Sequence, residues 1–176
     1  MKPKLVALAV AIATMWGLKR YYADARADDL WWILTPTAKL AGMMAGTPFL
    51  SESGEGYLSR ERLFLIEKSC AGVNFMIAAF GMLAFALRRR IDSCVSGACV
   101  LIASLCTSYC AAVLVNAVRI TAAMSLAAHA ATAPAFDAAQ VHRVEGITVY
   151  FGGLVALYEI AQRLDRRAAV DDRRRP

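Results

Sequence analysis

The stretch CVSGACVLIASLCTSYCAAVLVNAVRITAAMSLAAHAA, residues 94–131, decides the fold. It is apolar throughout apart from one charge, Arg119. Counted from residue 91 as helix, it would be on the order of 60 Å long, twice the roughly 30 Å hydrocarbon core of a bilayer. Three other apolar runs surround it. Residues 5–18 lie between Lys4 and Lys19-Arg20-Tyr21-Tyr22, residues 71–87 stop at Arg88-Arg89-Arg90, and residues 146–161 are closed by Arg163, Arg166 and Arg167.

The first run is short for a span. The bulky or charged residues after it do not form a small-residue cleavage site, so an uncleaved anchor is expected rather than a signal peptide. Trp16, Tyr21 and Tyr22 suit the membrane interface, with Lys19 and Arg20 snorkelling outward. The expected spans are then 5–22, 71–87, 91–115 and 146–162. Two full spans within 91–131 would reverse the last helix and export its Arg-rich tail, against the positive-inside rule. Residues 120–131 are therefore expected as a separate interfacial or re-entrant helix within an outer segment, 120–141. The outer loop 24–69 is expected to hold two short interfacial helices (30–34 and 40–44), a polar turn at 51–56, and a helix over 57–69. Residues 163–176 form a cytoplasmic tail.

Composition agrees with this reading. Of 176 residues 59% are hydrophobic and 19% charged, with a net charge of +6. That hydrophobicity excludes disorder, and the basic residues do not line one polar face as in a nucleic-acid binder. Five cysteines, an odd number in apolar runs, exclude a disulfide framework. The termini and the three-Arg turn hold eleven basic residues against five acids, while the remaining segments hold nine of each. The excess charge is an orientation signal placing both termini in the cytoplasm. The expectation is one domain, an all-α integral membrane protein with about four transmembrane helices.

Ionisable groups at or inside a bilayer need a reason to be there. Three such residues are expected on the outer face, each from a different helix: Cys70, Arg119 and His142. A thiolate attacks a peptide carbonyl, and a histidine within hydrogen-bond reach takes up its proton and returns it to the leaving amine. A guanidinium stays charged, and so stabilises a thiolate or a developing oxyanion. Singly, each residue has an ordinary structural explanation: a small packing thiol, a snorkelling end marker, a loop histidine. Asn116 shares a helical face with Arg119, where it either holds the guanidinium, contacts substrate or bonds a neighbouring helix. His129 is the competing histidine.

The segments Ser69-Cys70-Ala71-Gly72, Asn116-Ala117-Val118-Arg119 and His142-Arg143-Val144-Glu145-Gly146 resemble, in order and spacing, the three signature blocks of the exosortase/archaeosortase family. The resemblance runs from about Cys70 to the last span, and the chain's size is similar to the short exosortase K type. It implies a membrane cysteine transpeptidase or protease. Its partners would be membrane-tethered proteins whose C-terminal sorting signal has a short motif, a hydrophobic helix and a basic tail. It implies Cys70 as nucleophile, Arg119 as oxyanion or thiolate stabiliser and His142 as general acid/base. An acyl-thioester would pass to an envelope acceptor at the periplasmic side of a bacterial inner membrane. No cofactor, metal or nucleic acid is implied.

Cys94, Cys99, Cys106 and Cys110 all fall on the third span. They form no Cys-x-x-Cys and are expected as small residues packed between helices. Two other functions remain open: a thiol–disulfide or quinone-linked oxidoreductase, and a non-enzymatic membrane assembly subunit.

Overall fold

The computed structural model describes residues 2–130 and 138–174, and the side chains of residues 2–126 and 144–167. The described residues form five α-helices and one small sheet: α1 (Pro3–Asp24), α2 (Trp31–Ala45), β1 (Leu50–Glu52), β2 (Gly56–Ser59), β3 (Phe64–Ile66), α3 (Val73–Ala86), α4 (Cys94–Ala130) and α5 (Ala138–Arg174). Three helical segments are long and apolar enough to cross a membrane, Lys68–Ala86, Cys94–Leu126 and Val144–Arg167. Their outward surface suits that solvent. Phe85, Val95, Ile102, Ile147 and Phe151 are each more than half exposed, an arrangement that water would disfavour and lipid does not. α1 is 22 residues long but is not one of the three.

α3 is the most enclosed of these segments, packed by α1, α4 and α5. α4 turns small and polar residues inward at intervals of four: Ser104, Ser108, Ala112 and Asn116 are all buried. Small side chains at helix contacts let backbones approach closely. α4 starts from a reciprocal cap in which Ser96 N–H donates to Ser93 Oγ (3.1 Å) and Ser93 N–H donates to Ser96 Oγ (2.9 Å).

The helix bundle has two distinct ends. Lys4 and Arg88 line one groove, and Arg90 forms an ion pair with Asp165, so the start of α1, the three-Arg turn and the last third of α5 share an end. The connection from α1 to α3, with Cys70, lies towards the other.

Several expectations are corrected. The expected break at residue 120 is absent: α4 is one helix of 37 residues, about 55 Å long. No Gly or Pro interrupts residues 98–130, and an Ala-rich segment propagates a helix past any bilayer boundary. α5 likewise continues to Arg174 through what was expected as a tail.

The two short interfacial helices are one helix, α2, whose Ile33, Leu34, Ala38 and Ala41 are buried against the protein. Pro36 inside α2 has no N–H for the Trp32 carbonyl four residues earlier. That carbonyl instead accepts the Tyr109 hydroxyl of α4 at 2.7 Å, and the Trp32 and Tyr109 rings stack at 6.0 Å.

Residues 57–69 are not the expected helix, although the described chain is overwhelmingly helical and fits the expected all-α class. They form β2, β3 and a 3₁₀ turn, and β1–β2–β3 is an antiparallel sheet in chain order. Gly56 has φ +126°, and a Cβ there would lie 2.2 Å from the Ile66 carbonyl oxygen, so this crossing requires glycine. Cys94, Cys99, Cys106 and Cys110 are free and exposed, facing away from the chain's own core rather than packing within it.

Candidate active site

Cys70 lies in the short link between β3 and α3. Its N–H donates to the Glu67 carbonyl (2.9 Å), closing the 3₁₀ turn Lys68–Cys70. Gly72 then takes φ +71°, and α3 starts at Val73. The left-handed residue allows an abrupt change of direction from sheet to helix. It also makes room: a Cβ on Gly72 would sit 3.2 Å from both Cβ and Cγ of Asn116. Cys70 is buried, at 8% exposure, and is the one buried cysteine.

α4 delivers Asn116 to this turn. Its side chain is fully buried, and Nδ2 donates a short hydrogen bond to the Cys70 carbonyl. Its Oδ1 accepts the Tyr150 hydroxyl of α5 at 2.8 Å, and that hydroxyl accepts a hydrogen bond from Arg119 Nη1 at 3.3 Å. Arg119 also lies over the Tyr150 ring, 5.2 Å from its centroid. The donors all run one way, from guanidinium to phenol to carboxamide to carbonyl. In such a chain each bond polarises the next. The two partners also fix which end of the Asn116 amide is oxygen.

Two further contacts hold the cation. Gly146 brings α5 so near that a Cβ there would lie 3.0 Å from Arg119 Nε, and Glu145 is within electrostatic reach of Arg119. The Tyr150 ring packs against Phe75 of α3 at 5.4 Å, so one aromatic joins three helices. Arg119, Tyr150 and Tyr22 are the electrostatic neighbours of Cys70.

α1 closes the remaining side. The Tyr22 hydroxyl donates to the Lys68 carbonyl (3.1 Å), and Lys68 Nζ donates to the Ala23 carbonyl (3.0 Å) while lying 5.3 Å from the Tyr22 ring centroid. Lys19 Nζ donates to Asn74 Oδ1 at 2.7 Å, pinning α1 to the first turn of α3. Beside the nucleophile candidate, Ser69 Oγ lies 3.7 Å from Cys70 Sγ and donates to Glu67 Oε1 at 2.7 Å.

Of the residues singled out in the sequence, Cys70, Asn116 and Arg119 are brought into one network. The side chains of His142 and His129 lie outside the described residues; the backbone places His142 in the first turns of α5 and His129 at the end of α4. Sequence reasoning missed Tyr150, named Gly72 and Gly146 only as members of longer blocks, and read Tyr22 only as an interface residue. Tyr150 is a polar group within an apolar run, which is itself a signal, since a buried phenol needs a partner. The glycines become meaningful only when the neighbouring backbone is known.

A fixed cation and an oriented carboxamide beside a buried cysteine turn form an environment that can stabilise negative charge. No protein-family model, curated protein or solved structure matches the chain.

Proposed function

We propose that this chain is a membrane-embedded cysteine transpeptidase or protease with Cys70 as its nucleophile. The observation that carries the reading is the continuous hydrogen-bonded path from Arg119 through Tyr150 and Asn116 to the Cys70 carbonyl. Such a path commits one buried and one half-buried polar side chain and a charge to holding one cysteine turn, which a packing thiol does not require.

In this mechanism the Cys70 thiolate attacks the carbonyl carbon of a peptide bond. A C–S bond forms, and the tetrahedral oxyanion faces the Arg119 guanidinium. Collapse breaks the C–N bond, and His142, having taken the thiol proton, gives it to the departing amine. The acyl-thioester passes to an amine or hydroxyl acceptor, or to water, which restores the thiol. Asn116 and Tyr150 do not touch the reacting atoms; they position the cysteine turn and the cation.

The substrates in this reading are proteins tethered by a C-terminal hydrophobic helix with a basic tail, as the exosortase-like ordering of the three blocks suggests. α1 serves as a fourth span. Its Leu5, Leu8, Ile12 and Trp16 are more than half exposed, which supports lipid contact. Clustering of the three-Arg turn with both chain ends supports a cytoplasmic location for that end and a periplasmic one for Cys70 in a bacterial inner membrane.

The test uses native membranes containing the wild-type chain or Cys70→Ala. Wild type should carry a hydroxylamine-cleavable acyl adduct on the Cys70 peptide by mass spectrometry, and Cys70→Ala should leave tail-anchored substrates at full length. If wild type never acquires the adduct, and the tail-anchored proteins of both membranes are processed alike, the enzyme reading is wrong.

A further inference from the structure

At the end of the bundle remote from Cys70, α1 and α3 leave an apolar groove of about 250 Å³. It runs along α1 from Lys4 to Met15, about 16 Å at 1.5 Å per residue, and along the other wall from Gly81 to Arg88. That length is half of a hydrocarbon core about 30 Å thick, which is the depth of one leaflet. The groove is open sideways, since Leu5, Leu8, Ile12 and Phe85 on its walls are all more than half exposed.

Its polar chemistry is confined to one end and has one sign. Lys4 and Arg88 are the charged residues among its described lining, and no acid accompanies them. Among the described residues Lys4 forms no ion pair, and Arg88 donates Nη1 to the Phe85 carbonyl (2.9 Å) while its guanidinium rests 3.9 Å from the Phe85 ring centroid. Arg88 is exposed at the groove lining, and among the described residues its remaining N–H donors have no hydrogen-bond partner.

We propose that this groove binds one anionic phospholipid, with an acyl chain between α1 and α3 and the headgroup phosphate between Lys4 and Arg88. A narrow space strung over one leaflet's depth fits a hydrocarbon chain and not a second helix, which is about 10 Å across. The paired cations repel a helix with a basic tail, so the groove does not serve the protein substrates proposed above. Basic pockets between helices on the cytoplasmic side are chemically matched to anionic headgroups. The inference does not depend on the enzymatic reading.

The purified full chain in detergent is titrated with phosphatidylglycerol or phosphatidylcholine of identical acyl chains, and bound lipid is counted by native mass spectrometry. Wild type should retain one phosphatidylglycerol in preference to phosphatidylcholine by roughly five-fold for each cation. The Lys4→Gln/Arg88→Gln pair should abolish that preference while Arg166→Gln, the same single charge loss as Lys4→Gln but at an exposed site on α5, leaves it intact. Lys4→Gln alone, at an exposed residue with no ion pair, should remove about half of the effect on a logarithmic scale and carries the test should the double variant not fold. Equal retention of both lipids by wild type, survival of the preference in Lys4→Gln and the double variant, or an equal loss in Arg166→Gln each overturns the site.

Discussion

Replacing Tyr150 by Phe removes one oxygen and interrupts the path between Arg119 and the cysteine turn. The two bonds lost are unequal. The contact from Arg119 Nη1 is long at 3.3 Å, whereas the hydroxyl donates to Asn116 Oδ1 at a near-ideal 2.8 Å. Asn116 is fully buried, so its Oδ1 loses that donor where water cannot replace it. Leaving a buried acceptor unsatisfied costs about 1–3 kcal/mol, against about 0.5–1.5 kcal/mol for an ordinary bond lost with its partner. Tyr150→Phe should therefore lower stability by about 2 kcal/mol, the ring contact with Phe75 being kept. In an Asn116→Ala background the acceptor is already gone, and the same substitution should cost less than about 1 kcal/mol. SDS titration of the protein in mixed micelles, followed by tryptophan fluorescence, measures all four corners of this cycle. An equal cost of Tyr150→Phe in both backgrounds would show that the phenol and the carboxamide are not coupled, and the path would lose its meaning.

Arg119→Lys keeps the charge but not the planar fork, and should reduce processing of tail-anchored substrate by roughly 10²-fold while the chain stays folded; near-wild-type turnover would remove Arg119 from oxyanion stabilisation. Tyr109→Phe should destabilise the chain by about 1–3 kcal/mol, because the Trp32 carbonyl then has no donor, and by much less alongside Pro36→Ala, whose restored N–H can take that carbonyl. The same micelle titration distinguishes these cases, and equal costs with and without Pro36 would refute the explanation.

What the sequence revealed and what it hid follow from the solvent. Apolar runs and the grouping of Lys4, Arg88 and Arg163–Arg167 near one end were readable, because burying charge in hydrocarbon is costly wherever it occurs. Cys70, Arg119 and His142 were readable as a set, with Asn116 as a supporting residue, because reactive and polar types are rare in such runs. The direction in which Cys99 or Cys106 points was not readable. In a membrane both the lipid face and the protein face of a helix are apolar, so periodicity loses the contrast that it has in water. The length of α4 was misread by letting bilayer thickness end a helix that no Gly or Pro ends. Residues 57–59 and 64–66 pair as strands through tertiary context, with Gly54 and Gly56 at positive φ as the local clue. Tyr150 was hidden by its neighbours: 147–157 reads as simple span, and only the approach of α4 gives the phenol its partners.

The placement of Cys70 also sets a rule for how such a chain can vary in length. β3 ends at Ile66 and α3 begins at Val73, so the cysteine belongs to neither rigid body and is located by six residues bridging them. The bridge works like a ruler: one residue more or fewer between 66 and 73 would rotate or retract the sulfur relative to Arg119, even with every named side chain retained. The turn between β2 and β3, where Leu63 projects almost wholly into solvent, is under no such constraint. Spacing in that short bridge is thus as much a part of the site as the residues themselves.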